Sequence, residues 1–214
     1  MKLFMHWIGL SSLLLAPIVL LSTANGEVWH VTPDGTGNGA SWVNAGSLQA
    51  TIDSAAEGDE IWVAAGVYTA TTNTVLTMKE GVALYGGFLG GETQRDQRDW
   101  SSNKAIIDGQ HSRGCVTGAN DATLGGFTVM NGFVQTGGAV LNVDCSPIIV
   151  NCVFIDNYSS SIYNENASPV IIQCIFTENG YGIFNKDSSP EVRLCSFEKN
   201  KNGGIYNDNS SPEV

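Results

Sequence analysis

Ser168-Pro169-Val170-Ile171-Ile172-Gln173-Cys174-Ile175-Phe176-Thr177-Glu178-Asn179 is one copy of a block that recurs every 21 or 22 residues through the second half of the chain. Ser146-Pro147, Ser168-Pro169, Ser189-Pro190 and Ser211-Pro212 open four copies. Cys152, Cys174 and Cys195 stand six residues after the first three of these serines. Phe154, Phe176 and Phe197 come next, followed by Asn157, Asn179 and Asn200. Each unit also carries an apolar pair before an Asn: Val140-Leu141-Asn142, Ile162-Tyr163-Asn164, Ile183-Phe184-Asn185 and Ile205-Tyr206-Asn207. Self-similarity at a fixed period of this length marks a solenoid. One unit cannot bury its own apolar face, so units stack and each contacts its neighbours. Function must then be sought in columns of equivalent residues.

The units hold β-branched and aromatic residues in short runs separated by Gly, Asn, Ser and Pro, which reads as strands and turns rather than helices. Each unit has room for three strands, one turn of a parallel β-helix. The apolar pair before the ladder Asn is one strand, the residues after Ser-Pro a second, and the Cys-x-Phe segment a third. Alternation puts Cys and Phe on the same side. Ile149, Ile171 and Val192 are expected to point in as well. A bend falls at Asn151, Gln173 and Leu194; Asn suits a left-handed bend, and Leu194 fits it less well. Stacked copies roughly 4.8 Å apart would form inner ladders of Ile, Cys and Phe.

Phe154-Ile155-Asp156-Asn157, Phe176-Thr177-Glu178-Asn179 and Phe197-Glu198-Lys199-Asn200, with Gly137-Gly138-Ala139-Val140, resemble the repeats of bacterial polymorphic outer-membrane proteins. Later copies of the tetrad decay to Ser160-Ser161-Ile162 and Gly203-Gly204-Ile205. More broadly, the chain is similar to secreted bacterial proteins with right-handed parallel β-helix, pectin-lyase-like repeats. The stretches Gly58 to Thr69, Leu84 to Phe88 and Ile106 to Gly109 carry that likeness upstream. The resemblance implies an all-β, right-handed, single-stranded parallel β-helix. It leaves activity open, because the scaffold hosts lyases, hydrolases and adhesins.

Residues 1–24 read as a secretory signal peptide. Lys2 gives the positive start, Leu10 to Leu21 the apolar run, and Ser22-Thr23-Ala24 the small-residue cleavage site. Gly26 is the second choice of site, and an uncleaved anchor is the rival reading. Pro17 interrupts a run that is already short for a membrane span. A secreted or cell-surface location follows, with no span after cleavage. The chain carries 21 acidic against 10 basic residues. That balance argues against nucleic acid and against anionic polysaccharide as electrostatic partners, and is compatible with calcium. Cys152, Cys174 and Cys195 share one inward column, where free thiols pack as small apolar groups. A bridge between Cys115 and Cys145 stays open.

The domain plan is a leader over 1–24, a cap with irregular first coils over 25–110, and regular coils over 111–214. Residues 27–46 read as an irregular leading segment. Ser47 is the expected cap of a short helix in which Leu48, Ile52 and Ala55-Ala56 share one apolar face. That helix would plug the open end of the solenoid. Glu92 to Asn103 is a polar excursion; Arg95 and Arg98 would either pair with nearby aspartates or hold an acidic ligand. The sequence stops at Ser210-Ser211-Pro212-Glu213-Val214, inside a strand. Further coils or an anchor are expected beyond it, and the open edge is expected to self-associate.

Two function classes follow. An enzyme of this fold would carry its site in a groove outside the helix: a base with calcium-holding carboxylates for a lyase, paired carboxylates for a hydrolase. The residues for that reading are Asp144, Glu165, Lys186, Asp187 and Asp208, with Lys186 expected between Glu165 and Asp208. A column of charges is otherwise an ordinary exposed ion ladder. A binding module rests instead on Tyr163, Phe184 and Tyr206. They fall at one position in successive coils and point out if Ile162, Ile183 and Ile205 point in. Such a row could contact a polysaccharide or a host or cell-surface protein. Without other support, it could equally stack for stability alone. The leading expectation is adhesion or glycan binding without catalysis.

Overall fold

A computed structural model describes residues 26–134 and 137–214; the expected leader lies outside them. The chain winds as a right-handed β-solenoid with three parallel sheets. Sheet 1 stacks Val28–Val31, Glu60–Ala64, Ala83–Phe88, Thr123–Gly125, Ile148–Val150, Val170–Ile172 and Glu191–Arg193. Sheet 2 stacks Gly66–Tyr68, Ala105–Asp108, Phe127–Met130, Val153–Ile155, Ile175–Thr177 and Ser196–Glu198. Sheet 3 stacks Thr74–Thr77, Gly114–Thr117, Gly138–Val143, Ser160–Glu165, Tyr181–Lys186 and Gly203–Asp208. Neighbouring strands are parallel throughout, with one register shift between Val63 and Ala64, and in the repeating coils like residues face like residues.

Three inner columns make the core. Sheet 1 contributes Ile61, Leu84, Leu124, Ile149, Ile171 and Val192. Sheet 2 contributes Tyr68, Ile107, Val129, Phe154, Phe176 and Phe197. Sheet 3 contributes Leu76, Val116, Val140, Ile162, Ile183 and Ile205. All but Phe197 and Ile205 are buried. Burying one such side chain stabilises by about 1.5–3 kcal/mol. The columns run unbroken across residue 110, through coils whose sequences do not repeat.

Polar ladders close the corners. Asn142 Nδ2 donates to Asn164 Oδ1 at 2.8 Å, Asn164 to Asn185 at 2.9 Å, and Asn185 to Asn207 at 2.8 Å. Asn157, Asn179 and Asn200 form a second ladder, each also donating to a backbone carbonyl of the preceding coil: Val129, Phe154 and Phe176. Pairing of this kind offsets the cost of burying an amide. The bends at Asn151, Gln173 and Leu194 are left-handed, with φ of 55°, 54° and 54°. Leu194 holds that conformation without a short polar side chain to favour it, a strain of about 1–2 kcal/mol.

The leading segment departs from expectation. Val28–Val31 is a strand paired with Glu60–Ala64, not irregular chain. Asp59 fixes it there: its carboxylate accepts from Glu27 N at 2.7 Å, Trp29 Nε1 at 2.8 Å and Ala56 N at 2.8 Å. The helix is present as α1 (Leu48–Ser54), with Leu48 and Ile52 buried. Ser47 precedes it but makes no side-chain cap; its carbonyl instead accepts from Thr51 Oγ1. Gln49 seals the exposed edge of sheet 3 by bonding both N and O of Thr77.

The polar excursion is a strap across sheet 1, and its arginines do not pair with its aspartates. Arg95 meets Glu60 at 2.7 Å, and Arg98 donates to the carbonyls of Gly86 and Gly125. Both guanidinium groups lie over the Tyr85 ring. Asp99 is taken up by Ser101 and Ser102. These arginines therefore seat the strap on the sheet.

Desolvation pushes the Asp59 carboxyl up, but the bonds from Ala56, Trp29 and Glu27 and the Lys79 charge outweigh it, leaving its pKa below the ordinary 3.8. A depressed folded-state pKa gives stability that is present above the unfolded pKa and is lost as pH falls through the folded one. Wild-type stability, followed by urea titration, should therefore drop below about pH 4. Asp59→Asn should be less stable at pH 7 and lose part of that acid dependence.

Candidate binding face

The outward residues of sheet 3 follow from its register. Val140, Ile162 and Ile183 are buried, so alternation turns Leu141, Tyr163, Phe184 and Tyr206 to the outside, in one column. Tyr163 and Phe184 stack at 5.3 Å and 20°, and Phe184 and Tyr206 at 4.7 Å and 29°. Both faces of Phe184 are thus covered by its neighbours, and the stack turns its edges to solvent.

Tyr181, three residues before Phe184 on the same strand, was not singled out by the repeat. Its ring stands at 77° to Phe184 and 49° to Tyr206, with centroids 5.8 and 5.5 Å away. Tyr181 is half-buried beside these two rings. Its equivalents are Gly138, Ser160 and Gly203, so no column marked it in the sequence. A second outer pair, Phe133 and Tyr158, lies at 4.7 Å with both rings exposed. Each follows the residue at the ladder-Asn corner, Gly132 or Asn157, and that shared offset was the available signal.

The charged candidates sort by geometry. Val143, Glu165, Lys186 and Asp208 are register partners. Lys186 lies between the two acids along the backbone, but its Nζ goes to Glu165 at 2.6 Å. Tyr163 OH also donates to Glu165, at 3.3 Å. Lys186 chiefly holds the Glu165 carboxyl below the usual carboxylate range, and Glu165 raises Lys186. Burial and the Glu165 charge push the Tyr163 phenol up. A carboxylate held ionised suits neither a general acid nor a proton-sharing pair.

Asp144 and Asp187 occupy left-handed turns with Asn166 and Asn209, the fourfold column having φ of 54°, 51°, 51° and 50°. Asp187 accepts from Asn209 Nδ2, and Asp144 is not brought into the Glu165–Lys186 group. Among the described residues no three His, Cys, Asp or Glu side chains converge on a metal position. A cleft of about 960 Å³ lies at the N-terminal end of sheet 3, between α1 and the Thr69–Thr74 turn, with Asp34, Gln49 and Asp53 on its walls.

Sheet 1 provides an internal comparison. Its outer aromatics Trp62 and Phe88 stack at 4.8 Å and 8°, and Trp42 and His30 close over them. Trp42 Nε1 is tied to Glu92 O at 2.9 Å, where the strap begins. On sheet 1, Trp42 and His30 close over Trp62 and Phe88, and the strap arginines lie over Tyr85; among the described residues no aromatic or strap contact of that kind covers the outer rings of sheet 3.

The arrangement separates the ring at the middle of the stack from the one at its side. Phe184→Ala removes the middle of the stack and should cost about 1–3 kcal/mol in chemical denaturation. Tyr181→Ala should cost less than about 1 kcal/mol. Equal losses would contradict the geometry.

Among the described residues no helix is long and apolar enough to cross a membrane. No curated protein and no solved structure matches the chain. The family described as a right-handed beta helix region matches residues 61–214, the span of the stacked coils from the second strand of sheet 1 onward. The chain belongs to that right-handed β-helix family.

Proposed function

We propose that the protein is an extracellular β-helix module that binds an uncharged polysaccharide on the outer face of sheet 3, without catalysis. The observation that carries the reading is the outer aromatic cluster of sheet 3, in which half-buried Tyr181 meets Phe184 and Tyr206 beside the stack of Tyr163, Phe184 and Tyr206, with Tyr206 exposed. Rigid aromatic rings on an outer face form a platform for the C–H face of a sugar ring. The stack beneath holds the platform in place, so little conformational freedom is lost on binding. Tyrosine hydroxyls and the Glu165–Lys186 pair at the rim supply hydrogen-bond partners. The net charge of −11 disfavours an acidic polymer. The extracellular address rests on the reading of residues 1–24 as a leader.

Affinity electrophoresis of the protein against a panel of neutral and acidic polysaccharides tests this, with turnover followed in the same samples. Binding to a neutral polymer is expected, and Tyr181→Ala should weaken it tenfold or more, about 1.4 kcal/mol. Ultraviolet-absorbing unsaturated products would identify a lyase, and new reducing ends without them a hydrolase; either would overturn the non-catalytic reading. Binding unchanged by Tyr181→Ala would overturn the site.

A further inference from the structure

The outer face of sheet 2 is built differently from that of sheet 3. Val67, Ile106, Thr128, Val153 and Ile175 are register partners in successive coils. They alternate with the buried inner column of the same strands, so they point out. Val67 is 52% exposed and Ile175 42%. Two residues further along the strands, Met130, Ile155 and Thr177 form a second outward column. Charge enters these two columns only at their ends, at Asp108 and Glu198. On sheet 3, by contrast, Glu165, Lys186 and Asp208 stand beside the aromatic column.

Parallel sheets with apolar residues on both faces are generally covered on both, and a contiguous exposed apolar patch marks a contact site. The strap is bonded to sheet 1, and α1 packs on sheets 1 and 3; among the described residues neither is seated on the face of sheet 2. The strands between its ends are already paired on both sides, which leaves no edge there for an added strand. A flat face of two columns is instead what the apolar stripe of a helix packs on in layered structures. From Val67 to Ile175 the face spans about 19 Å, four steps of about 4.8 Å. An α-helix of about 13 residues has that length.

The flanks of the face differ in charge. Past the second column stand Asp156 and Glu178, exposed and in left-handed turns with φ of 52° and 59°. Glu178 has Lys199 at 3.9 Å, and Asp156 has no ion-pair partner among the described residues. The opposite flank, at the bends, holds Asn151, Gln173 and Leu194, none of them charged. We propose that the outer face of sheet 2 docks an amphipathic helix of a partner protein, its apolar stripe on the two columns and its basic residues on the side of Asp156 and Glu178. This surface lies on another sheet from the polysaccharide face and does not rest on that reading.

Fluorescence anisotropy of the purified full chain with two synthetic helical peptides of about 14 residues tests the docking. Both peptides carry one leucine stripe; lysines flank it in one and glutamates in the other. Saturable binding of the lysine peptide is expected, about tenfold tighter or more than that of the glutamate peptide. Ile175→Lys should weaken it about tenfold or more, by putting a charge into the apolar face. Asp156→Asn combined with Glu178→Gln should weaken it about threefold; Asn also suits the left-handed turn at 156. Ile148→Lys, on the outer face of sheet 1, should leave binding unchanged. The comparison of the two peptides on the unaltered protein stands even where a substitution impairs folding. No binding, equal binding of both peptides, or an equal loss in Ile148→Lys would overturn the proposal. So would a dimer seen by sedimentation without peptide and dissociated by Ile175→Lys, which would assign the face to a second copy.

Discussion

In-register parallel pairing is the constraint on which the rest of this molecule depends. Once coils stack with like residues facing each other, every side chain meets a copy of itself or its counterpart at one coil spacing. Apolar positions become continuous core, as in the Ile149, Ile171 and Val192 column. Aromatic positions become stacks, as Phe154, Phe176 and Phe197 do at 4.8 Å. The same rule is severe for polar groups. A charge in the inner column would meet its like, whereas asparagine can donate to one neighbour and accept from the other. That two-sided chemistry explains why the corners carry Asn142, Asn164, Asn185 and Asn207.

Outside the core the same spacing gives sheets 1 and 3 different fates. On sheet 1 the strap is seated by Arg95 and Arg98 over Tyr85, and Trp42, bonded to Glu92 O where the strap begins, closes with His30 over Trp62 and Phe88. On sheet 3 no comparable segment among the described residues lies over Tyr163, Phe184, Tyr206 and Tyr181. The charged column beside them is occupied internally, since Lys186 goes to Glu165 and Asp187 to Asn209. Groups that neutralise or bond each other are poorly placed for acid–base work, and the aromatic face is what remains available to a partner.

Much of this was legible in the sequence, because a repeat reports position directly. The inner ladders, the bends at Asn151, Gln173 and Leu194, and the outward column of Tyr163 were all read from spacing. What escaped had no repeat to report it. Val28–Val31 pairs because Asp59, far along the chain, satisfies its neighbours, and no local pattern announces such a contact. Arg98 seemed a partner for nearby aspartates; the deciding acceptors are carbonyls freed at the Gly86 and Gly125 corner. Tyr181 stands in a column of Gly138, Ser160 and Gly203, so its role depends on ring orientation rather than on period.

The central claim is that the open face of sheet 3, and not the covered face of sheet 1, meets the partner. Hydroxyl-radical footprinting of the protein with and without a bound neutral polysaccharide tests it most directly. The account predicts that Tyr181, Tyr163 and Tyr206 become protected while Trp42 and Leu89, both beside the strap, keep their reactivity. Protection of the strap, or of the cleft around Tyr68, with Tyr181 unchanged, would contradict it.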